Sequence, residues 1–423
     1  MNTYKNFAAL SPETLPQRLG QLTELTSRVG ADPTKWKVRE VGDGNLNLVF
    51  IVEGPKGGAV VKQALPYVRL VGDSWPLPLK RSFFEFHALT RHAMRDPGMV
   101  PEIFHFDADQ AMIVMEFLST HIILRRALIE GQQPPKIARD LGLFLARTLF
   151  RGSDLCMQTS LRKADLALFA GNVELCDITE SLVFSDPYFE ANLNRHTSPQ
   201  LDGIVRELRA DRDLKVAAQR LKHIFAAFPE TLLHGDFHTG SVMVTSGETR
   251  VIDPEFAFYG PMAFDVGMLL ANFWTSYFSQ SGHEAAGSRD GMRVYLLNVI
   301  VEIWDTFRTE FARLWHTERT GILYQRSLFE DQGDHLASEQ ALNLVLQGIW
   351  LDMLGFAGVE MHRRILGLAH NAEFETIESH DVRARCETKA LKLGRHLAVN
   401  RHHIHSLAEI NALAQRLERE IIT

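Results

Sequence analysis

Between Leu232 and Glu255 the chain carries three acids whose spacing suits a division of chemical labour. Asp236 stands in His234-Gly235-Asp236-Phe237-His238, and Asp253 and Glu255 follow in Asp253-Pro254-Glu255. One carboxylate is placed to orient a substrate hydroxyl. Two hard oxygen ligands one residue apart suit a Mg²⁺ ion bridging triphosphate oxygens, and phosphoryl transfer asks for both functions. Any one of these acids alone also reads as a solvated turn or a helix cap; the ordered combination carries the chemical reading, that of a kinase of small molecules.

The surrounding pattern supplies elements that could hold these acids. Leu232-Leu233 and Val242-Met243-Val244 are short apolar runs that read as strands flanking the Asp236 loop. Ser246-Gly247-Glu248 reads as a hairpin turn into Arg250-Val251-Ile252, and Asp253 falls where that strand ends. Upstream, Lys62 ends the strand-like run Ala59-Val60-Val61, the place of a phosphate-pairing lysine in a kinase fold, and the helix that follows offers Glu85 as its ionic partner. The same helical face could instead present Arg81 or His87, and Lys62 also reads as a surface charge at a strand end. Gly42-Asp43-Gly44-Asn45-Leu46-Asn47 lies between two predicted strands, where glycine lets backbone N–H groups approach phosphate oxygens, although a Gly-x-Gly turn of a plain hairpin looks the same. No helix follows it to make a dinucleotide fingerprint, and no Gly-Lys pair exists to make a Walker loop.

Composition bounds the molecule. A chain of 423 residues with 45% hydrophobic content can bury a large core and divides naturally into two lobes. The 45 basic and 52 acidic residues leave a net charge of −7, with no basic surplus for nucleic acid. Cys156, Cys176 and Cys386 are odd in number and far apart, which fits reduced thiols better than disulfides or a zinc site. The first residues lack an apolar signal core, and no run approaches the ~20 uninterrupted apolar residues of a membrane span. The expectation is a soluble protein of the cytoplasm.

Periodicity predicts an N-terminal helix opened by Ser11-Pro12-Glu13-Thr14 and carrying Leu15, Leu19, Leu22 and Leu25. Strands are predicted between residues 37 and 62, a helix from about Leu79 to Arg95 with Phe83, Phe84, Phe86 and Leu89 inward, and two more strands at Ile103–Phe106 and Met112–Phe117. Beyond Leu118 the pattern is helical apart from the 232–255 segment. The fold class expected is α+β, with a small antiparallel sheet in an N-terminal lobe (1–117) and a larger, mainly helical C-terminal lobe (118–423).

Six segments, in order along the chain, resemble the methylthioribose kinase family. They are Gly42-Asp43-Gly44-Asn45-Leu46-Asn47, Gly72-Asp73-Ser74-Trp75-Pro76-Leu77, Glu174-Leu175-Cys176-Asp177-Ile178-Thr179-Glu180, His234 through Ser241, Asp253 through Pro261, and Arg363-Arg364-Ile365-Leu366-Gly367-Leu368-Ala369-His370. The resemblance implies a protein-kinase-like, two-lobed fold akin to the aminoglycoside phosphotransferases. It further implies transfer of the ATP γ-phosphoryl group, with Mg²⁺, to the anomeric 1-hydroxyl of S-methyl-5-thioribose in methionine salvage. Carried over by motif, Gly44, Asn45 and Lys62 hold ATP phosphates. Glu116, Phe117 and Leu118 form the hinge that meets adenine, and Asp253, Pro254 and Glu255 complete the ATP site, with Asp253 and Glu255 as the metal pair. Asp236 is the catalytic acid–base residue and touches substrate, as do Arg363, Arg364 and Trp75. The resemblance also implies a homodimer. Ser241 stands where the wider kinase group has a metal-binding Asn, which leaves the number of metal ions open.

Two alternatives use the same machinery. A kinase of choline, homoserine or an aminoglycoside shares the ATP site, but a polycationic acceptor favours an acidic pocket and the Arg363-Arg364 pair argues against one. A silent nucleotide-binding protein is expected to have lost Asp236, Asp253 or Lys62, and all three are present. The helical pitch sets the side chains of Arg363 and Arg364 about 100° apart, so one of them is expected to reach a phosphate directly.

Overall fold

The computed structural model describes residues 7–42, 46–68, 72–284 and 288–420. It divides into two compact units, the first formed by Met1–His121 with Asn172–Leu175 and Arg250–Ala257, the second by the rest. Two short segments, the second carrying Asp253 and Glu255, therefore belong with the N-terminal unit, across the single boundary expected after residue 117.

In the first unit, helices α1 (Thr14–Leu19) and α2 (Thr23–Val29) precede strands β1 (Lys37–Glu40), β2 (Asn47–Gly54) and β3 (Gly57–Ala64). A short pair, β4 (Tyr67–Val68) and β5 (Gly72–Pro76), leads to α3 (Arg81–Arg95), β6 (Ile103–Asp107) and β7 (Met112–Glu116). The main sheet is antiparallel in the order β1-β2-β3-β7-β6, with Lys62 opposite Val49 on one side and Ile113 on the other. Side chains alternate across a strand. Phe50, Val52, Ala59, Val61, Met112 and Val114 thus share one face and join Leu15, Leu25 and Val29 of α1 and α2 in a single apolar cluster. Each such fully buried side chain contributes about 1.5–3 kcal/mol. The strict period of two sends Lys62 to the other face.

The expected N-terminal helix is two helices. The first, α1, stops at Leu19 before Gly20, where a Cβ would meet Pro16 O and Pro33 Cγ, each at 2.6 Å. The face of α3 also differs from expectation. Phe84 and Leu89 are buried, but they share the inner face with Arg81 and Glu85, while Phe83 and Phe86 are only half-buried. Phe86 instead stacks on Phe106 with ring centroids 4.4 Å apart.

In the second unit, β8 (Ile122–Ile123) leads directly into α4 (Leu124–Ile129), and α5 (Ile137–Arg151), α6 (Thr159–Phe169), α7 (Val173–Leu182), α8 (Asp202–Ala210) and α9 (Arg212–Ala227) follow. Short strands β9 (Thr231–Leu232), β10 (Val242–Val244) and β12 (Tyr259–Gly260) frame the Asp236 loop, with β9 pairing β12 and β10 pairing β8, while β11 (Thr249–Val251) runs into the Arg250–Ala257 segment of the first unit. The remainder is helical: α10 (Ala263–Ser279), α11 (Asp290–Glu318), α12 (His335–Leu366), α13 (Ala372–Glu375), α14 (His380–Asn400) and α15 (Leu407–Arg419). Every residue of α10 is buried, which fits a helix at the centre of a core, and it packs on α11, α12 and α14. Helix α12 contains a stretch long and apolar enough to cross a membrane by length and composition, but half of that stretch is buried inside the protein. All three cysteines are free.

Candidate active site

The functional side chains fall into two groups, one in each unit. In the first, Lys62 Nζ donates to Glu85 Oε1 of α3 at 2.7 Å and also pairs with Asp253 Oδ1. Glu255, almost fully buried, accepts from Asn47 Nδ2 at 2.9 Å and lies 3.5 Å from Arg81 Nε. The segment bearing both acids is fixed by its backbone. Val251 N donates to Met99 O at 2.7 Å, and buried Asn172 donates to Glu255 O at 2.9 Å and to Ala257 O at 3.0 Å. Asp253 itself is held at φ +69°, a left-handed backbone that non-glycine residues adopt seldom and that costs about 1–3 kcal/mol.

Charge in this group is crowded. Burial pushes the Glu85 carboxyl up to about 8 against the pull of Lys62, with Asp253 and Glu255 adding to the rise. Glu255 is raised by burial and by Asp253. Burial acts on Lys62 in the opposite direction, but Asp253, Glu85 and Glu255 outweigh it and hold the ammonium above its usual value. Glu85, Asp253 and Glu255 bring one oxygen each within 4.8 Å of the others. Three hard oxygen donors that close to one another fit Mg²⁺.

In the second unit the Asp236 loop is tied down at several points. Buried Asp265, in the first turn of α10, accepts from His234 N at 2.7 Å and from Gly235 N at 3.1 Å. His238 Nδ1 accepts from Gly240 N at 2.9 Å, and its Nε2 lies 3.3 Å from Asp236 Oδ2. The Ser241 hydroxyl donates to Asp236 O at 3.1 Å, so that side chain serves the loop. On the other carboxylate oxygen, Asp236 Oδ1 accepts from both Arg363 Nη1 (3.1 Å) and Arg364 Nη2 (3.2 Å). The expected divergence of the two arginines is overturned. Both long side chains are drawn to Glu360 one turn earlier on α12, at 3.2 Å and 2.5 Å, and turn together.

Burial alone would push the Asp236 carboxyl up, but His238 and the guanidiniums of Arg363 and Arg364 hold it well below the usual carboxylate range. His238 is lowered to about 4 by burial, with Asp236 opposing and Arg364 and Arg125 assisting. The imidazole is therefore neutral near pH 7, and the arginines supply the positive charge that keeps Asp236 ionised.

Of the other residues named from sequence, Glu116 ends β7, Leu118 is buried just beyond it and Phe117 is half-buried between them. Pro254 is buried between the two acids. Trp75 lies half-buried in β5, in the first unit. Gly44 and Asn45 lie outside the described residues. Sequence reasoning missed Asn172, Asp265 and Glu360, and it offered Arg81 only as a rival to Glu85 where the structure uses both. The one signal for Asp265 was an acid in the first turn of an otherwise apolar helix.

A model of the phosphotransferase enzyme family matches residues 37–296. The methylthioribose kinase of Escherichia coli O45:K1 is 42% identical over 96% of this chain and 96% of its own length. The chain belongs to the methylthioribose kinase family. Methylthioribose kinase 1 of Oryza sativa subsp. japonica is 40% identical over 98% of this chain and 97% of its own. Among solved structures, a choline/ethanolamine kinase family protein from Mesorhizobium loti is a distant likeness, at 13% identity and a TM-score of 0.40 over 96% of this chain and 99% of that one. As a member of the methylthioribose kinase family, the chain is an ATP-dependent phosphotransferase with an α+β, protein-kinase-like fold.

Proposed function

We propose that this kinase phosphorylates S-methyl-5-thio-D-ribose on its anomeric 1-hydroxyl, giving S-methyl-5-thio-α-D-ribose 1-phosphate and ADP, as a step of methionine salvage. The observation that carries the reading is the convergence of Arg363 and Arg364 on one oxygen of Asp236, in a chain 42% identical to a methylthioribose kinase along nearly its whole length. An acceptor site built on two arginines suits a neutral sugar that becomes an anion, and disfavours a cationic acceptor such as choline.

Asp236 accepts a hydrogen bond from the attacking hydroxyl and aims it. The guanidiniums offer planar donors, ionised at every working pH, to the equatorial oxygens of the transferred group. In the nucleotide group, Lys62 pairs with phosphate oxygens, and backbone groups of Glu116 and Leu118 meet adenine. Asp253 and Glu255 would hold Mg²⁺, which when bound offsets charge on the β- and γ-phosphate oxygens. Trp75, Gly44 and Asn45 keep the roles implied by their motifs. We also assign the enzyme to the cytoplasm, which fits its free cysteines, and to a homodimer, for which light scattering should give twice the chain mass of 47.9 kDa.

The test is the product. Incubation with ATP, Mg²⁺ and methylthioribose should yield a sugar phosphate whose phosphorus couples to the anomeric proton in NMR. Coupling to a proton of another carbon would move the site of transfer and overturn the proposal.

A further inference from the structure

Among the described residues no hydrogen bond or ion pair joins Glu360 to Asp236 or its loop, yet it is the residue that both arginines share. It lies three and four residues before them on α12, so one helical face presents all three side chains. Its carboxylate is fully buried, with Oε2 accepting from Arg363 Nη1 at 3.2 Å and Oε1 from Arg364 Nε at 2.5 Å. Arg364 is thereby held at Nε by Glu360 and at Nη2 by Asp236 Oδ1, whereas Arg363 meets both acids through one nitrogen. Arg363 Nη1 serves both acids, while Arg363 Nε is buried with no acceptor among the described residues, so that guanidinium has donor capacity its present partners do not use.

The tie continues away from the arginines. Asn272 Nδ2 of α10 lies 3.4 Å from Glu360 Oε1, and Asn272 Oδ1 accepts from Arg125 Nη2 of α4 at 3.3 Å. Arg125 Nε donates to Glu373 Oε1 of α13 at 3.1 Å, and the same oxygen accepts from the Thr239 hydroxyl at 3.0 Å. Thr239 is three residues beyond Asp236. The path from Asp236 through the arginines, Glu360, Asn272, Arg125 and Glu373 thus returns to the loop it left. Three cations (Arg125, Arg363, Arg364) face three carboxylates (Asp236, Glu360, Glu373), and helices α4, α10, α12 and α13 meet the Asp236 loop in this ring.

We propose that Glu360 is a positioning residue for phosphoryl transfer: its buried carboxylate holds Arg363 and Arg364 aimed at a single point, so that they meet the transferred group without rearrangement. The proposal rests on the functional reading above, in which that point adjoins the acceptor hydroxyl. Preorganised donors accelerate a reaction because they are not reoriented as charge develops. Two adjacent guanidiniums without the carboxylate between them would repel each other and spread over rotamers. Glu360 therefore acts on kcat and leaves nucleotide binding alone.

The experiment is a kinetic comparison of wild type with Glu360→Gln, Arg364→Lys and the double variant, with ATP affinity measured separately by titration. Glu360→Gln keeps the side-chain shape and loses the charge. A drop in kcat for methylthioribose of roughly tenfold to hundredfold is expected, the scale of a small misplacement of reacting groups, with ATP affinity within about twofold of wild type on that same account. In the Arg364→Lys background the same change should cost much less, because its effect runs through the arginine; a structural role would give losses that multiply. Should Glu360→Gln not fold, Glu360→Asp carries the test, keeping the charge but withdrawing it by one methylene, and the same kcat loss at a native melting temperature is expected. Full kcat in either folded variant, multiplicative losses, or failure of both variants to fold overturns the proposal. A wild type inactive on methylthioribose sinks the functional reading and takes the proposal with it, so the two failures are told apart by the wild-type assay.

Discussion

The carboxylate of Asp236 is shared between two arginines on Oδ1 and a neutral histidine on Oδ2, and that environment decides what it can do. Held well below its usual range, it is a weak base. Such a group orients a hydroxyl better than it removes its proton, which suits the loose transition state of phosphoryl transfer, where little proton transfer is needed early. Asp236→Asn should reduce turnover by about 10²–10⁴ with ATP affinity unchanged in titrations; wild-type turnover would remove Asp236 from the reaction. Replacing Arg363 and Arg364 separately with Lys keeps charge and loses the fork. At least one variant should lose on the order of 10² in kcat/KM for the sugar, as for one preorganised donor, and a loss confined to ATP binding would place the pair in the nucleotide site. Asp236, Asp253, Glu255 and Lys62 stood out as candidates because each sits in a short ordered motif beside or within a strand, although β3 runs on past Lys62 to Ala64 and does not end there. Glu360, Asn272 and Arg125 did not, because a buried ion on a helix has the same sequence pattern as a solvated one, and contacts such as that between Asn272 and Glu360 span 88 residues.

Helix α3 brings Glu85 and Arg81 to the sheet face that carries Lys62, and Glu85 already prefers its proton more than an ordinary carboxylate does, with burial lifting it to about 8. Removing Lys62 should therefore cost less stability than the ~3–5 kcal/mol of stranding a buried charge, because Glu85 takes up a proton. Lys62→Met is expected to retain a native melting profile near pH 7 and to lose most ATP affinity by titration; unfolding of the variant would contradict this reading of Glu85. Helix α12 depends on close approach to α10. A Cβ on Gly267 would meet Met353 O at 2.5 Å and Phe356 Cβ at 2.8 Å. Alanine gains up to about 1 kcal/mol in helix propensity, but overpacking against backbone costs about 1–3 kcal/mol. Gly267→Ala should lower stability in denaturant melts and, by shifting α12, lower kcat; a stabilised variant would show that the two helices separate freely. At this scale the strands of the main sheet were legible from their period of two. The inner face of α3 was not, since four aromatic and aliphatic residues outvoted Arg81 and Glu85, nor was the break at Gly20, which packs against Pro33 from across a turn.

Across the molecule, the acid side of stability has a local origin. His362, directly before the arginine pair, is fully buried, has Nε2 3.0 Å from Leu391 O and Nδ1 3.3 Å from the Tyr188 hydroxyl, and is lowered from 6.5 to about 4, chiefly by burial. A depressed value means the folded protein favours the neutral ring. The contribution is fully present above pH 6.5 and is lost as pH falls toward 4, amounting to about 3 kcal/mol at ~1.4 kcal/mol per unit. Buried carboxyls with raised values act in the opposite sense, so the measurement is a difference: wild type should lose about that much more stability than His362→Asn between pH 6.5 and 4, and parallel curves would contradict it. The α+β class was legible from strand-rich and helix-rich parts of the chain, and the kinase-like organisation was implied by the family resemblance. The grouping of Asn172–Leu175 and Arg250–Ala257 with the N-terminal unit was not legible, because it rests on contacts far apart in sequence, such as Val251 N to Met99 O. The central claim is the acceptor, and it is tested most directly by ADP release from the purified enzyme with ATP, Mg²⁺ and methylthioribose, ribose or choline side by side. Burial of an apolar methylthio group is worth ~1–3 kcal/mol, so methylthioribose should exceed ribose in kcat/KM by a factor on the order of 10–200, with choline inert. Equal values for the two sugars, or a preference for choline, would contradict the assignment.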